Sequence, residues 1–127
     1  MSLHEFSDTP LDGFQQLQAL LSGEKKAPMI EKLGLSLVDV ERGRVVFEGT
    51  PDRTVYNPMG AVHGGYAATL LDSACGCAVH SRLGEGQTYT TLDLRVSYLK
   101  AITDRTGVLR CEGRTVSMEP TPLSSAT

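Results

Sequence analysis

Residues 64–81 read GGYAATLLDSACGCAVHS, and this stretch decides the fold. It contains no proline and a single formal charge, Asp72, over about five helical turns at roughly 3.6 residues per turn. Apolar or small side chains occur on every face, which is typical of a helix buried nearly all round. Each glycine lowers its helix propensity by roughly 1 kcal/mol relative to alanine, so tertiary packing must hold it. The stretch predicts one long central helix.

The segments on either side of this helix predict an antiparallel sheet. Residues 35–50 are strand-like on both sides of a Gly-containing turn at 41–44, as in a β-hairpin. From Thr88 to Tyr98 apolar and polar residues alternate, which is the clearest strand pattern of the chain, and a further strand is expected from Val108 to about Met118. This order predicts an α+β domain whose antiparallel sheet wraps around one long central helix.

A helical lead-in precedes the hairpin. Leucine and phenylalanine recur at three- and four-residue spacing between Leu11 and Leu21, and a second short helix is expected from Pro28 to Gly34. We therefore divide the chain into a lead-in over 1–34 and a main domain over 35–127. The 127 residues are enough for one compact domain and too few for two.

Composition excludes several classes of function. Twelve Lys and Arg against 15 Asp and Glu leave no broad cationic surface for nucleic acid. No apolar window is long enough to cross a membrane, and the first thirty residues lack a signal-peptide core, so we expect a cytoplasmic protein. The three cysteines do not form the pattern of a disulfide framework or of a metal site, so reduced thiols and no bound metal are expected.

The candidate site lies where the segment 57–65, NPMGAVHGG, runs into the long helix. An ionised carboxylate in dry surroundings costs several kcal/mol unless it is compensated, so Asp72 is either a bonded structural or subunit-contact acid or a group kept for chemistry. The first amides of a helix point outward without partners, so Gly64 and Gly65 could hold an oxyanion or a phosphate. Equally, the two glycines could form a tight turn that His63 caps. The residues alone leave these alternatives open.

The combination Asn57-x5-His63-Gly64-Gly65-x6-Asp72, followed by the strand-like TTLDLRVSYL, resembles the hotdog-fold acyl-CoA thioesterases of the PaaI-like (phenylacetate-degradation) family. The resemblance extends from about Ala27 to Met118. It implies a hotdog sheet around the helix, homodimers with two active sites at their interface, and dimers that associate into tetramers. It also implies hydrolysis of an acyl-CoA, with an aromatic or medium-chain acyl group, to free acid and coenzyme A without a cofactor.

The family's roles can be carried onto this sequence. The Gly64 amide would stabilise the oxyanion, and Asp72 of the other copy would act as general base or as nucleophile. Asn57 would position the carbonyl or the water, and His63 would fix the loop and stabilise the departing thiolate. Thr91 would orient the water, provided that its strand curves toward the helix. The residues expected to contact the substrate are Gly65, Met59, Val62 and Tyr66.

The end of the chain departs from the family pattern. Relatives continue past 113–116 into another strand, a turn and a final strand. Here a segment with prolines at 120 and 122 leads directly to residues that resemble the start of that final strand. Two prolines so close together do not form a regular central strand. We expect either a sheet that closes differently or a sequence that lacks part of the natural chain.

Two other functions stay open. A non-catalytic acyl-CoA-binding hotdog protein would bind thioesters without turnover, and the departure at the end of the chain favours it. A hotdog enoyl-CoA hydratase or dehydratase would pair a histidine with a helix carboxylate. Such sites usually carry a proline-rich loop after the histidine, whereas Gly64 and Gly65 follow His63 here, which argues against this class.

Overall fold

The computed structural model describes residues 11–118 and 124–127. Its elements in chain order are α1 (Gly13–Ser22), α2 (Pro28–Lys32), β1 (Ser36–Glu41), β2 (Arg44–Gly49), a 3₁₀ turn (Arg53–Val55), α3 (Gly64–His80), β3 (Leu109–Met118) and β4 (Ser124–Ala126). The four strands form one antiparallel sheet in the order β1-β2-β3-β4, and α3 packs against β2 and β3. This arrangement confirms the predicted fold class. Residues 1–10 of the predicted lead-in lie outside the described residues.

The predicted lead-in helices and hairpin are confirmed. Asp12 and Gln15 form a capping box, in which each side chain accepts a hydrogen bond from the backbone amide of the other at 2.9 Å. This box starts α1, and Leu17 anchors the helix in the core. Pro28 is the first residue of α2, as its preset φ favours. None of the helices in the described residues is long and apolar enough to cross a bilayer.

The core lies between the sheet and one face of α3. Val45, Val46 and Phe47 of β2 are fully buried, and Phe47 pairs with Cys111 of β3. The helix contributes a stripe at four-residue spacing, which consists of Tyr66, Leu70, Ala74 and Ala78. A Cβ added at Gly113 of β3 would lie well inside van der Waals distance of the Ala74 carbonyl. The backbones of β3 and α3 therefore touch at this point, which only glycine allows.

Burial of α3 is one-sided, which corrects the expectation of a helix buried nearly all round. Most residues outside the buried stripe, among them Asp72, Ser73 and Cys75, are half-buried, whereas Ala67 and His80 are buried. All three cysteines of the chain are among the described residues, and none forms a disulfide. Burial raises the pKa of the Cys77 thiol to about 12 and that of Cys111 to about 11. Both thiols are therefore protonated near neutral pH.

The clearest predicted strand, Thr88 to Tyr98, is not a strand in the structure, so this prediction is wrong. Within the described ranges, residues 88–101 make no hydrogen bond from backbone to backbone. The physical reason is the lack of a neighbour, because a strand forms only against the free edge of another strand. Among the described residues, the sheet continues beyond β3 with β4, which is three residues long. We call residues 88–98 the anchored segment, because three of its side chains attach it to α3: Tyr89, Thr91 and Tyr98.

The sheet closes with a short hairpin between β3 and β4. Thr115 pairs with Ala126, and Met118 pairs with Ser124. Residues 119–123, which include both prolines of this region, lie outside the described residues. Both alternatives for this end of the chain, a sheet that closes differently and a sequence that lacks part of the natural chain, stay predictions.

Candidate active site

The start of α3 presents one unpaired amide. His63 is the residue that caps the helix, and its Nδ1 accepts a hydrogen bond from the Gly65 amide at 2.8 Å. No described residue accepts a hydrogen bond from the amide of Gly64. The carbonyl of Gly64 accepts a hydrogen bond from the Tyr98 hydroxyl at 2.7 Å. The expected cap by His63 is therefore confirmed. The Gly64 amide lies at the positive end of the helix, and its use for an oxyanion stays a prediction.

Asn57 folds the loop that leads to this amide. Its side-chain oxygen accepts hydrogen bonds from the amides of Met59 at 2.9 Å and Ala61 at 3.2 Å. The backbone fixes the loop further, since the amide of His63 donates to the carbonyl of Val55 at 2.8 Å. The side-chain nitrogen of Asn57 has no acceptor among the described residues. Asn57 thus shapes the loop with its oxygen and keeps two N–H donors for another molecule.

Asp72 lies in the middle of α3, and Thr91 of the anchored segment contacts it there. The Thr91 hydroxyl donates to Oδ1 of the half-buried Asp72 at 2.9 Å, which joins two predicted site residues from separate elements. The expected strand was not needed for this contact, because the anchored segment reaches α3 through its side chains. No described residue donates a hydrogen bond to Oδ2 of Asp72. The carboxylate therefore has one oriented oxygen and one free oxygen.

The Gly64 amide and the Asp72 carboxylate of one chain cannot act on the same atom. They are eight residues apart on one helix, which is about 12 Å at 1.5 Å per residue. The two groups accordingly border two different grooves. A groove of about 410 Å³ borders Gly64 and includes residues 98–102, whereas Asp72 opens into another of about 210 Å³. One chain holds both groups without bringing them together.

The four residues expected to contact the substrate do not share one pocket. Val62 and Tyr66 belong to the core and are 7% and 5% exposed, because both face the sheet. Burial also raises the pKa of the Tyr66 hydroxyl. Met59 is 90% exposed at the loop 57–61, and the Gly65 amide is occupied by His63. The sequence shows that these residues are apolar or small, but it does not show which of them face the core.

Sequence reasoning missed two of the three residues that attach the anchored segment, Tyr89 and Tyr98. Tyr98 was counted only as part of a strand pattern, yet its hydroxyl bonds Gly64. Tyr89 packs against Gly76 and hydrogen-bonds Cys77. Burial, the largest cause, raises the pKa of its hydroxyl well above its usual range. Among the described residues, no three His, Cys, Asp or Glu side chains come together as a metal site.

Comparison with known proteins shows which family this part of the chain resembles. Residues 59–121, from the loop before α3 onward, match the model of the thioesterase superfamily. A Halobacterium salinarum protein that bears an esterase name is 40% identical over 77 residues, which cover 57% of this chain and 51% of that protein. The chain thus spans about half the length of the curated relative it matches.

Two solved structures share the fold. The phenylacetic acid degradation-related protein of Ralstonia eutropha JMP134 superposes with a TM-score of 0.72 at 24% identity, over 86% of this chain and 92% of that one. A thioesterase family protein of Silicibacter pomeroyi gives a TM-score of 0.72 at 26% identity, over 83% of this chain and 76% of that one. Residues 59–121 are thus similar to the thioesterase superfamily, and the chain shares the hotdog fold of these two structures.

Proposed function

We propose that the protein hydrolyses an acyl-CoA thioester to a carboxylic acid and free coenzyme A, at sites that two copies of the chain build together. The hydrogen bond from Thr91 to Asp72 carries this proposal. It fixes Oδ1 and leaves Oδ2 at an open groove, where a water molecule can approach it. A carboxylate held in this way is suited to take a proton from water.

The chemistry then needs few groups. Oδ2 of Asp72 accepts a proton from water while the water oxygen bonds the thioester carbon. The carbonyl oxygen then carries a negative charge, and the Gly64 amide stabilises this charge by a hydrogen bond. Collapse of this intermediate breaks the carbon–sulfur bond, and the thiolate takes the proton back from the Asp72 carboxyl. A second route begins with attack of Oδ2 on the thioester carbon, which releases the thiolate and leaves an anhydride for water to hydrolyse.

The separation within one helix is the reason for two copies. Because the Gly64 amide and Asp72 are about 12 Å apart along α3, a twofold dimer must bring the start of one α3 to the middle of the other. The symmetry then gives two identical sites. An amide and a carboxylate from different copies would face one thioester in each.

Two neighbouring side chains support the leaving group and the carbonyl. Since Nδ1 of His63 accepts from Gly65, the proton of the neutral imidazole lies on Nε2. Nε2 is therefore a donor, and it can stabilise the thiolate as the carbon–sulfur bond breaks. The free side-chain N–H groups of Asn57 can bond the carbonyl or hold the water.

The test is release of free thiol from aryl- and fatty-acyl-CoA substrates by wild type and Asp72→Asn. The substitution keeps the size of the side chain and removes the base, so kcat is expected to fall at least about a hundredfold. Asp93→Asn is the matched control, because Asp93 is an exposed carboxylate of the anchored segment, and its ion pair among the described residues is with Arg95, at 3.1 Å. Its turnover should stay within about twofold of wild type. Unchanged turnover in Asp72→Asn would remove this carboxylate from the mechanism.

Acyl-CoA binding without turnover is the second candidate. It is favoured by the anchored segment, whose lack of backbone hydrogen bonds leaves Thr91 held by side-chain contacts alone. Calorimetry with a non-hydrolysable thioether analogue separates the two. Binding of the analogue together with no thiol release from any thioester would establish this second function and overturn hydrolysis.

A further inference from the structure

The groove beside Asp72 has an apolar lining around a single charge. Its floor is the outer face of α3, with Ala68, Thr69 and Ser73 around Asp72. Its walls come from two other elements, and they consist of Met29 and Ile30 of α2 and Leu94 of the anchored segment. Small residues on the floor and larger apolar ones on the walls form a slot that begins at the carboxylate.

We infer that this groove holds the acyl group of the substrate and that Met29 and Leu94 set how long an acyl chain it accepts. The inference rests on the proposed function, and it assigns the chain-length limit to residues outside the motif that defines the site. Met29 is 59% exposed and Leu94 43% exposed. An acyl chain that covers them removes their apolar surface from water. This burial stabilises the complex by roughly 25 cal/mol of free energy for each Å² buried.

Charge decides which end of the substrate lies here. The groove is lined by one carboxylate and by no lysine or arginine, so the phosphates of coenzyme A are disfavoured in it. The groove at Gly64 instead includes Lys100. The acyl end therefore belongs beside Asp72, and the coenzyme A end belongs toward a cationic surface.

Volume sets a limit on the acyl group. An apolar cavity of about 150 Å³ holds a benzene molecule in a well-studied case. The groove of about 210 Å³ is slightly larger, so it matches an acyl group of roughly six to eight carbon atoms. Longer chains must pass Met29 or Leu94 at the rim.

The walls can be changed without damage to the core. α2 has five residues, none of them buried, and no side-chain hydrogen bond caps it. Leu94 lies in a segment without backbone hydrogen bonds to described residues. Truncation at either position should therefore act on the groove and leave the sheet intact.

The experiment measures kcat/KM on straight-chain thioesters from acetyl- to dodecanoyl-CoA. Met29→Ala and Leu94→Ala should raise the value for the longest chains about tenfold, the lower end of what one methylene contributes in an apolar pocket. Ala68→Leu fills the floor and should lower it about tenfold for octanoyl-CoA while acetyl-CoA changes little. Leu21→Ala is the matched control, because Leu21 is also 43% exposed but lies on α1, away from the groove.

The outcomes separate the two proposals. If wild type hydrolyses thioesters and all three groove variants keep its chain-length profile, the groove does not hold the acyl chain and this inference is overturned. If wild type releases no thiol from any thioester, the proposed function fails, and this inference fails with it. Turnover of acetyl-CoA shows that a variant is folded. If Ala68→Leu does not fold, the two truncations, Met29→Ala and Leu94→Ala, are sufficient to test the inference.

Discussion

The hairpin β1–β2 and the anchored segment both carry strand-like sequence, yet only one of them is a strand. In the hairpin, Val45 and Phe47 are fully buried and the backbone pairs on both sides of β2. In the anchored segment, Leu92 is 75% exposed and the backbone pairs with nothing that the structure describes. Alternation of apolar and polar residues gives a segment one apolar face. A strand also requires backbone hydrogen bonds to the edge of a neighbouring strand.

The two regions also have different structural roles. The hairpin and β3 build the core under α3. The anchored segment touches both candidate groups, since Tyr98 bonds the carbonyl of Gly64 and Thr91 bonds Asp72. The less firmly held region thus positions the site, as is common where function needs adaptable elements.

The largest effect should appear in amide hydrogen exchange. Amides of β2 and β3 that pair in the ladder should exchange at least about a thousandfold more slowly than those of the anchored segment in a monomeric sample. Exchange measured by mass spectrometry or NMR checks this. Protection of residues 88–98 that appears only on self-association would place the missing neighbour on a second copy. Equal protection in the monomer would contradict the comparison.

Gly113→Ala tests the close contact between β3 and α3. The added Cβ meets the helix backbone at Ala74, which cannot move aside as a flexible side chain could, so we expect a loss of about 3 kcal/mol in the free energy of unfolding. Urea denaturation measures the loss. Gly84→Ala is the control, because its new Cβ meets only the end of the Gln87 side chain, and its effect should stay within about 0.5 kcal/mol. Similar effects at both positions would show that β3 and α3 are not in rigid contact.

The smallest effect is a pH dependence of stability at His80, which contacts Tyr89 of the anchored segment. His80 is 5% exposed, its Nε2 lies 2.7 Å from Oε1 of Gln16, and its ring packs 5.7 Å from that of Tyr89. Burial lowers its pKa from 6.5 to about 4. As pH falls below 6.5, the unfolded chain binds a proton that the folded chain does not, so stability is lost until about pH 4.

The expected loss from His80 is about 2 kcal/mol between pH 8 and pH 5, from the shift in pKa. Denaturation curves of wild type and His80→Gln at several pH values isolate this residue, since glutamine does not titrate. The variant should show a flatter profile over that range. A profile as steep as that of wild type would assign the pH dependence to other groups.

Much of the fold could be predicted from local signals. The capping residue Asp12, Pro28 at the start of α2, and the run of α3 with its single charge each determine a helix through its own residues and near neighbours. The hairpin was predictable because both of its strands and its turn lie within one short stretch. The anchored segment was not, because its state depends on whether another strand reaches it.

The candidate site divides in the same way. The sequence by itself determined which groups are present: a histidine and two glycines at a helix start, and one carboxylate eight residues farther along. Only the tertiary structure decided that Thr91 reaches Asp72, that Val62 and Tyr66 turn into the core, and that Met29 borders the groove. The physical reason is the distance along the chain over which each feature is determined. Helix starts and charge patterns are properties of neighbouring residues, whereas side-chain contacts across elements depend on which faces pack together.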